Sequence, residues 1–268
     1  MAVELNQEQL VMLRRERRAR ALWEKCSKSC RFFITRYVRI QDKDAVTSRG
    51  DLVIPFAMWP AQVEALRVFL TERLVIALKA RQLGLSWLAL AYAVWRMLFF
   101  PGYSVILISK REDDTKELVQ RVGFILDHLP RWMVRSWQEA AGIKKSTGFD
   151  MDDMPWPIYD ATVTSVTIYH PGQSPSVFHG MTAAPSSGRS FTANLVILDE
   201  WAYHQFAAEI WDSVYPTVNR PNGGQVIGIS TADMGTLFEE IWHGAVNGEN
   251  DFYPLFLPWS ADPRRTRE

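Results

Sequence analysis

Along most of the chain, short apolar runs of strand length alternate with longer stretches of helical spacing. "RLVIAL" (73–78) is a continuous apolar run, and "SWLALAYAVWRMLFF" (86–100) is a strongly apolar helical segment stopped by Pro101 and Gly102. "YSVILIS" (103–109) predicts a second strand, and "EDDTKELVQRVGFILDHL" (112–129) a helix with acids in its first turn, where the helix dipole favours them. "TVTSVTIYH" (162–170) and "SVFHGMTA" (176–183) predict a strand pair about the turn "PGQSP". "LVIL" (195–198) and "QVIGIS" (225–230) predict buried strands, with helices near 205–214 and over 236–245. This alternation predicts an α/β fold whose mainly parallel central sheet is flanked by helices.

Ahead of it, residues 5–40 carry helix-like spacing at Leu10, Leu13, Leu22 and Phe33, interleaved with Arg14, Arg15, Arg17, Arg18 and Arg20. The pattern predicts an N-terminal helical arm over 1–50, its arginines forming either a solvated face or a docking or nucleic-acid surface. The polar break "QDKDAVTSRGD" (41–51) then leads into "IPFAMWPAQVEAL", where Pro60 suits a helix's first turn. The main domain is expected over 51–258. The closing "LPWSADPRRTRE" reads as the start of a linker over 259–268.

Composition narrows the classes. A chain of 268 residues that is 47% hydrophobic can bury a large core, which excludes intrinsic disorder. Lys plus Arg and Asp plus Glu both total 30, so no global basic field recommends nucleic acid, and any such contact must be local. Cys26 and Cys30 have no further Cys or nearby His to complete a zinc set and read as reduced thiols. The N-terminus lacks the order of a signal peptide and no apolar run reaches about 18 residues, so a cytosolic protein without a membrane span is expected.

The chemistry concentrates in two places. "KARQLGLSW" (79–87) joins an expected strand to an expected helix, as phosphate loops do. Against G-x-x-x-x-G-K-[ST], Gly84 and Ser86 fit, but Leu85 holds the lysine position and Lys79 the first-glycine position. A bare strand-to-helix turn would look similar. "NLVILDEWAYH" (194–204) sets Asp199 and Glu200 at the carboxyl end of a buried strand, where open α/β sheets bind ligands. Asp199 can enter a Mg²⁺ shell and Glu200 can polarise a water, or the two can simply cap and solvate the next helix. A further strand ends in the hydroxyls Ser230 and Thr231. The acids Asp150, Asp152 and Asp153 of "FDMDDMPW" lie among Met, Pro and Trp in an apparent loop and read as solvated.

In this order, "WPAQ" (59–62), "KARQLGLSW", "ILISKREDD" (106–114), "LVILDE" and "GIST" resemble the ATPase domain of the large terminase subunit, the DNA-packaging motor of tailed bacteriophages, over roughly residues 50–260. The resemblance implies an ASCE-type P-loop NTPase that hydrolyses ATP with Mg²⁺. It makes Gln62 an adenine contact and Lys79, Ala80, Arg81, Gln82, Leu83, Gly84, Leu85 and Ser86 a deviant Walker A loop with its lysine moved to the start. It implies Ser86 and Asp199 as Mg²⁺ holders, Glu200 as the catalytic carboxylate and Ser230 with Thr231 as the coupling motif. Arg81 would grip or report on the γ-phosphate, unless it pairs with a neighbouring acid, and Arg189 would act on a neighbouring subunit's nucleotide, a solvent-exposed arginine on a Ser/Gly-rich segment being the other reading. The implied partners are double-stranded DNA, the capsid portal protein and a small terminase subunit, with a homo-oligomeric ring assembled on the portal in the cytoplasm of the infected host. A nuclease domain would follow the ATPase domain and lies outside this sequence. Another P-loop ATPase of helicase-like type, or a nucleotide-binding scaffold without turnover, are the alternatives.

Overall fold

The computed structural model describes residues 7–42, 52–147, 155–185, 187, 192–218 and 223–265. Asp150, Asp152, Asp153 and Arg189 therefore lie outside the described residues. The chain opens with α1 (Gln7–Lys28) and α2 (Cys30–Tyr37), broken at Ser29, whose hydroxyl caps α2 by accepting from the Phe32 amide at 3.2 Å. A two-stranded antiparallel ribbon, β1 (Arg39–Gln41) and β2 (Val53–Pro55), precedes α3 (Pro60–Thr71). Then come β3 (Leu74–Lys79), α4 (Leu85–Phe99), β4 (Ser104–Ser109), α5 (Glu112–Asp127), β5 (Arg135–Ser136) and α6 (Trp137–Thr147). The remainder is β6 (Ile158–Ala161), β7 (Ser165–Tyr169), β8 (Ser176–Thr182), β9 (Leu195–Asp199), α7 (Ala207–Val218), β10 (Gln225–Ser230), α8 (Leu237–Asn247) and β11 (Tyr253–Leu257).

Among the described residues one sheet of nine strands runs in the order β11-β3-β10-β9-β4-β8-β7-β6-β5. The first six are parallel, β7 is antiparallel to both neighbours, and β5 pairs parallel with β6. The register levels the carboxyl ends of the central strands: Leu78 stands opposite Ser230, Ile229 opposite Asp199, and Asp199 opposite Ser109. Lys79, Asp199 and Ser230 thereby share one sheet edge.

Alternate residues of these strands face two helical layers, as the period-2 geometry of a strand requires. Val75, Ala77, Val105, Leu107, Ile197 and Ile229 join the core beneath α3, α4 and α5, whereas Ile76, Ile106, Ile108, Val196, Leu198 and Val226 join the core beneath α7 and α8. Burial on both faces is why these strands read as unbroken apolar runs. α4 is apolar nearly all round because it lies under other helices, α2 and α5 among them. Cys26, Cys30, Phe33 and Ile34 belong to the same core, and the Trp95 indole donates to the Cys26 carbonyl at 2.8 Å. On the other face, Gly228 admits the buried Trp201 ring, which would lie 2.4 Å from an added Cβ. No helix among the described residues is long and apolar enough to cross a membrane.

Three segments differ from the sequence expectation. β11 forms one edge of the sheet beside β3, although Pro254 lies within it and Pro258 follows it. An edge strand tolerates a missing N–H donor. β5, α6 and β6 extend the far edge from a stretch whose periodicity is weak. Residues 258–265 fold back on the body, where Asp262 is buried and bonded to Arg264, and Arg265 reaches the loop after β3.

Candidate functional site

β3 delivers Lys79 to the sheet edge, and the chain turns through Ala80–Gly84 into α4. Gln82 (φ 63°) and Gly84 (φ 67°) both adopt left-handed backbone. Such residues turn successive N–H groups toward one concave side, and the open N-terminus of α4 adds its free amides and positive dipole end. An added Cβ at Gly84 would lie 2.8 Å from Gln62 Nε2, so only glycine fits this turn without displacement. Leu83 is buried beneath the loop, and the Ala80 amide donates to the Leu257 carbonyl at 2.9 Å. Leu85, in the place of the usual lysine, is a buried core residue at 1% exposure. The Leu85 side chain therefore supplies no charge to the loop, and Lys79 is the lysine beside it.

Two polar pairs cross from this loop to the end of β9. Lys79 Nζ lies 3.0 Å from Glu200 Oε1, with the two side chains 7% and 24% exposed. Ser86 Oγ donates to Asp199 Oδ1 at 2.7 Å. Burial pushes the Asp199 carboxyl above its ordinary range, the bond from Ser86 partly opposes this, and the neighbouring Glu200 adds to it. A buried carboxylate so placed gains from a cation beside it. A serine hydroxyl and a carboxylate oxygen this close are hard donors suited to adjacent positions on a small octahedral ion, which takes its other ligands from water and phosphate. Among the described residues no cluster of three or more His, Cys, Asp or Glu could hold a metal without such help.

Glu200 itself has φ 52°, a left-handed conformation that costs a non-glycine residue on the order of 1 kcal/mol or more. Three bonds hold the turn that imposes it. The Ala202 amide donates to Ser230 Oγ at 3.1 Å, Tyr203 OH lies 3.1 Å from Thr231 Oγ1, and His204 Nε2 lies 2.9 Å from the Asp199 carbonyl. A carbonyl can only accept, so Nε2 carries the imidazole proton. Burial pushes the His204 pKa down to about 4, which keeps the ring neutral. The Thr231 amide stands 3.5 Å from Glu200 Oε2. Ser230 and Thr231 thus touch the acidic turn directly.

The sequence-derived residues do not all land where expected. Lys79, Ser86, Asp199, Glu200, Ser230 and Thr231 converge. Gln62 does not face an open base site: it is 4% exposed, its Nε2 donates to the Leu83 carbonyl at 2.9 Å, and its Oε1 accepts from the Trp59 amide at 2.9 Å. One end of the amide braces the loop and the other closes the N-terminus of α3. The Arg81 side chain is exposed and has no ion pair among the described residues, while its carbonyl accepts from Arg265 Nη2 at 3.1 Å. Tyr203, His204 and Arg265 were not singled out in the sequence. The first two follow Asp199 and Glu200 in "WAYH", and Arg265 is 184 positions from its partner.

This loop, acidic strand end and parallel sheet define a P-loop NTPase fold of the ASCE type. No protein-family model and no curated protein sequence matches the chain. Among solved structures it is similar to the large terminase ATPase domain of Thermus phage P74-26, at 24% identity over 76% of this chain and 83% of that one, with a TM-score of 0.58. It is also similar to the HK97 bacteriophage large terminase, at 13% identity over 90% of this chain and 45% of that one (TM-score 0.59). A large terminase from a thermophilic bacteriophage, solved in complex with ATP-gamma-S, matches at 11% identity over 78% of this chain and 47% of that one (TM-score 0.54). The fold is therefore similar to that of phage large-terminase ATPase domains, and the chain spans about half the length of two of these proteins.

Proposed function

We propose that this chain is the ATP-hydrolysing motor domain of a terminase large subunit, which moves double-stranded DNA into a viral procapsid. The observation that carries the reading is the convergence of two pairs, Lys79 with Glu200 and Ser86 with Asp199, behind an anion-cradling loop at the carboxyl edge of a parallel sheet. The fold likeness to phage large-terminase ATPase domains supports the choice of this NTPase class over others.

In this reading the amides of Arg81 to Leu85 and the Lys79 ammonium bind the β- and γ-phosphates of ATP, while the Ala80 amide stays on the Leu257 carbonyl. Ser86 and Asp199 would hold Mg²⁺, which would supply positive charge to offset that of the phosphates. An incoming triphosphate competes with Glu200 for Lys79. Once freed, Glu200 accepts a proton from a water whose oxygen attacks the γ-phosphorus. The bond from that phosphorus to the β,γ-bridging oxygen breaks, giving ADP and inorganic phosphate. Thr231 and Ser230, tied to the Glu200 turn, move with it and carry the change to the rest of the domain. Exposed Arg81 contacts the γ-phosphate, and Arg189 supplies charge to a neighbour's site in a ring on the portal. The small terminase subunit is the further partner, and the infected host's cytoplasm the place of action.

The test is steady phosphate release by the purified chain. It should require Mg²⁺ and vanish in Glu200→Gln with ATP binding retained. Turnover that survives this substitution would remove the carboxylate from the mechanism. Stimulation by portal protein, beyond that given by any DNA, separates a packaging motor from a helicase-like ATPase.

A further inference from the structure

The sheet edge opposite the loop encloses a second hollow. Arg73 before β3, Tyr103 before β4, Asn194 before β9 and Gln225 at the start of β10 line a cavity of about 250 Å³, together with Glu72 and with Arg96 from the last turn of α4. A strand of six residues separates this edge from the loop, so the two sites stand roughly 20 Å apart.

Arg96 is rigidly presented there. Its Nε donates to the Tyr92 hydroxyl at 2.9 Å, which donates to Gln225 Oε1 at 2.8 Å. Gln225 Nε2 in turn donates to the carbonyls of Phe69 and Glu72 at 2.6 and 2.8 Å. The guanidinium lies 5.2 to 5.8 Å from the ring centres of Tyr92, Trp95, Phe100 and Tyr103. Its two terminal nitrogens have no hydrogen-bond acceptor, and it has no ion pair, among the described residues. A guanidinium stays charged at every accessible pH, and aromatic faces offset its charge without accepting its N–H donors in a fork. The acid in the cavity, Glu72, accepts from Thr71 Oγ1 at 3.0 Å, while exposed Arg73 adds a second positive charge at the rim.

We infer that this cavity is a phosphate-binding site distinct from the nucleotide loop, with Arg96 as its fixed fork and Arg73 as its outer cation. Paired N–H donors on a locked arginine match two oxygens of a tetrahedral oxyanion. The group is either a phosphodiester of a nucleic-acid backbone or a free phosphate. The inference stands on this edge alone and does not depend on ATP turnover.

The test uses the full chain with ¹⁵N-labelled arginine. The Arg96 Nε–H resonance, assigned by its loss in Arg96→Lys, is followed during titration with sodium phosphate at constant ionic strength, and separately with a 20-base-pair DNA duplex. A saturable shift with phosphate is expected, with affinity at least about tenfold weaker in Arg73→Gln, as loss of a charge-assisted hydrogen bond implies. Arg73 is exposed ahead of β3, and the remaining resonances of Arg73→Gln, compared with those of wild type, report whether the fold is unchanged. A shift with duplex as well, lost together in Arg73→Gln, assigns the site to a nucleic-acid backbone. A shift with phosphate alone assigns it to the free anion. Absence of saturation with both, or equal affinity in Arg73→Gln, overturns the inference.

Discussion

Replacing Lys79 by Met and Glu200 by Gln, singly and together, measures the contact that ATP is proposed to break. The charges stand 3.0 Å apart. With an effective dielectric of 20 their attraction is about 5 to 6 kcal/mol before desolvation. Lys79 is 7% exposed and Glu200 24%, so withdrawing the ammonium from water offsets more than half of that. A net coupling of about 2 kcal/mol remains in the nucleotide-free protein. Lys79→Met alone should destabilise by about 2 to 3 kcal/mol, because Glu200 is then left beside Asp199 without its cation. Glu200→Gln added to it should restore most of the loss, since the remaining amide carries no charge.

Urea unfolding of the four proteins gives the coupling as the departure from additivity. Repeated with Mg²⁺ and a non-hydrolysable ATP analogue, it should fall toward zero in proteins that still bind, because the phosphates then hold Lys79. A coupling below about 0.5 kcal/mol without nucleotide would refute the ion pair as a stabilising contact. Undiminished coupling with nucleotide bound would refute the exchange of partners, and wild-type ATPase activity in folded Lys79→Met would remove the lysine from phosphate binding.

Gly84→Ala should destabilise by about 1 to 2 kcal/mol and weaken ATP binding at least about tenfold, because φ 67° is unfavourable and the new methyl meets Gln62; calorimetric titration showing normal affinity would contradict this. His204→Leu should lower kcat about tenfold with little change in KM by loosening the Glu200 turn, whereas His204→Gln, which keeps an N–H donor, should recover most of it. The buried neutral His204, with its pKa near 4 when folded and about 6.5 unfolded, contributes stability that is complete above pH 6.5 and is lost as pH falls toward 4. That loss is about 3 kcal/mol, opposed at the acid end by Asp199, whose raised pKa favours the folded state as it protonates. His170 and His179, also lowered by burial, remain in both proteins, so the stability difference between wild type and His204→Gln isolates the His204 share of the acid slope. The Cys26 and Cys30 thiols, pushed up by burial, Cys26 to about 11, should resist a disulfide reagent at pH 8 in the native protein and react on unfolding; rapid native labelling would place them at the surface.

The central strands were legible because two helical layers bury both of their faces, leaving runs such as "LVIL" that no exposed strand could carry. β11 was not anticipated: Pro254 within it argues against a central strand, and only its place at the sheet edge makes that proline tolerable. At the site, the convergence of Lys79, Ser86, Asp199 and Glu200 was legible from order, since all four lie at or just after strand ends that parallel register must level. The contacts Gln62 makes to Trp59 and Leu83 also had a signal in the sequence. Pro60 at the first helical position marks the helix start, and Gln62 at the third closes back on the Trp59 amide, which is half of a capping box since Trp59 has no side-chain acceptor.

What local pattern could not show is how the loop is restrained from outside. Gln62 holds the Leu83 carbonyl, Leu257 holds the Ala80 amide, and Arg265 holds the Arg81 carbonyl, so three segments distant in sequence each fix one peptide of the same short turn. Two of them belong to the polypeptide after β10, which ends in Ser230 beside the Glu200 turn. A shift of the loop on binding phosphate must therefore be accommodated by residues 257–265, and a shift of the Glu200 turn by Ser230 and Thr231. Leu257 and Arg265 are thus bonded to the loop itself, so a change in the loop reaches residues 257–265 without a separate relay.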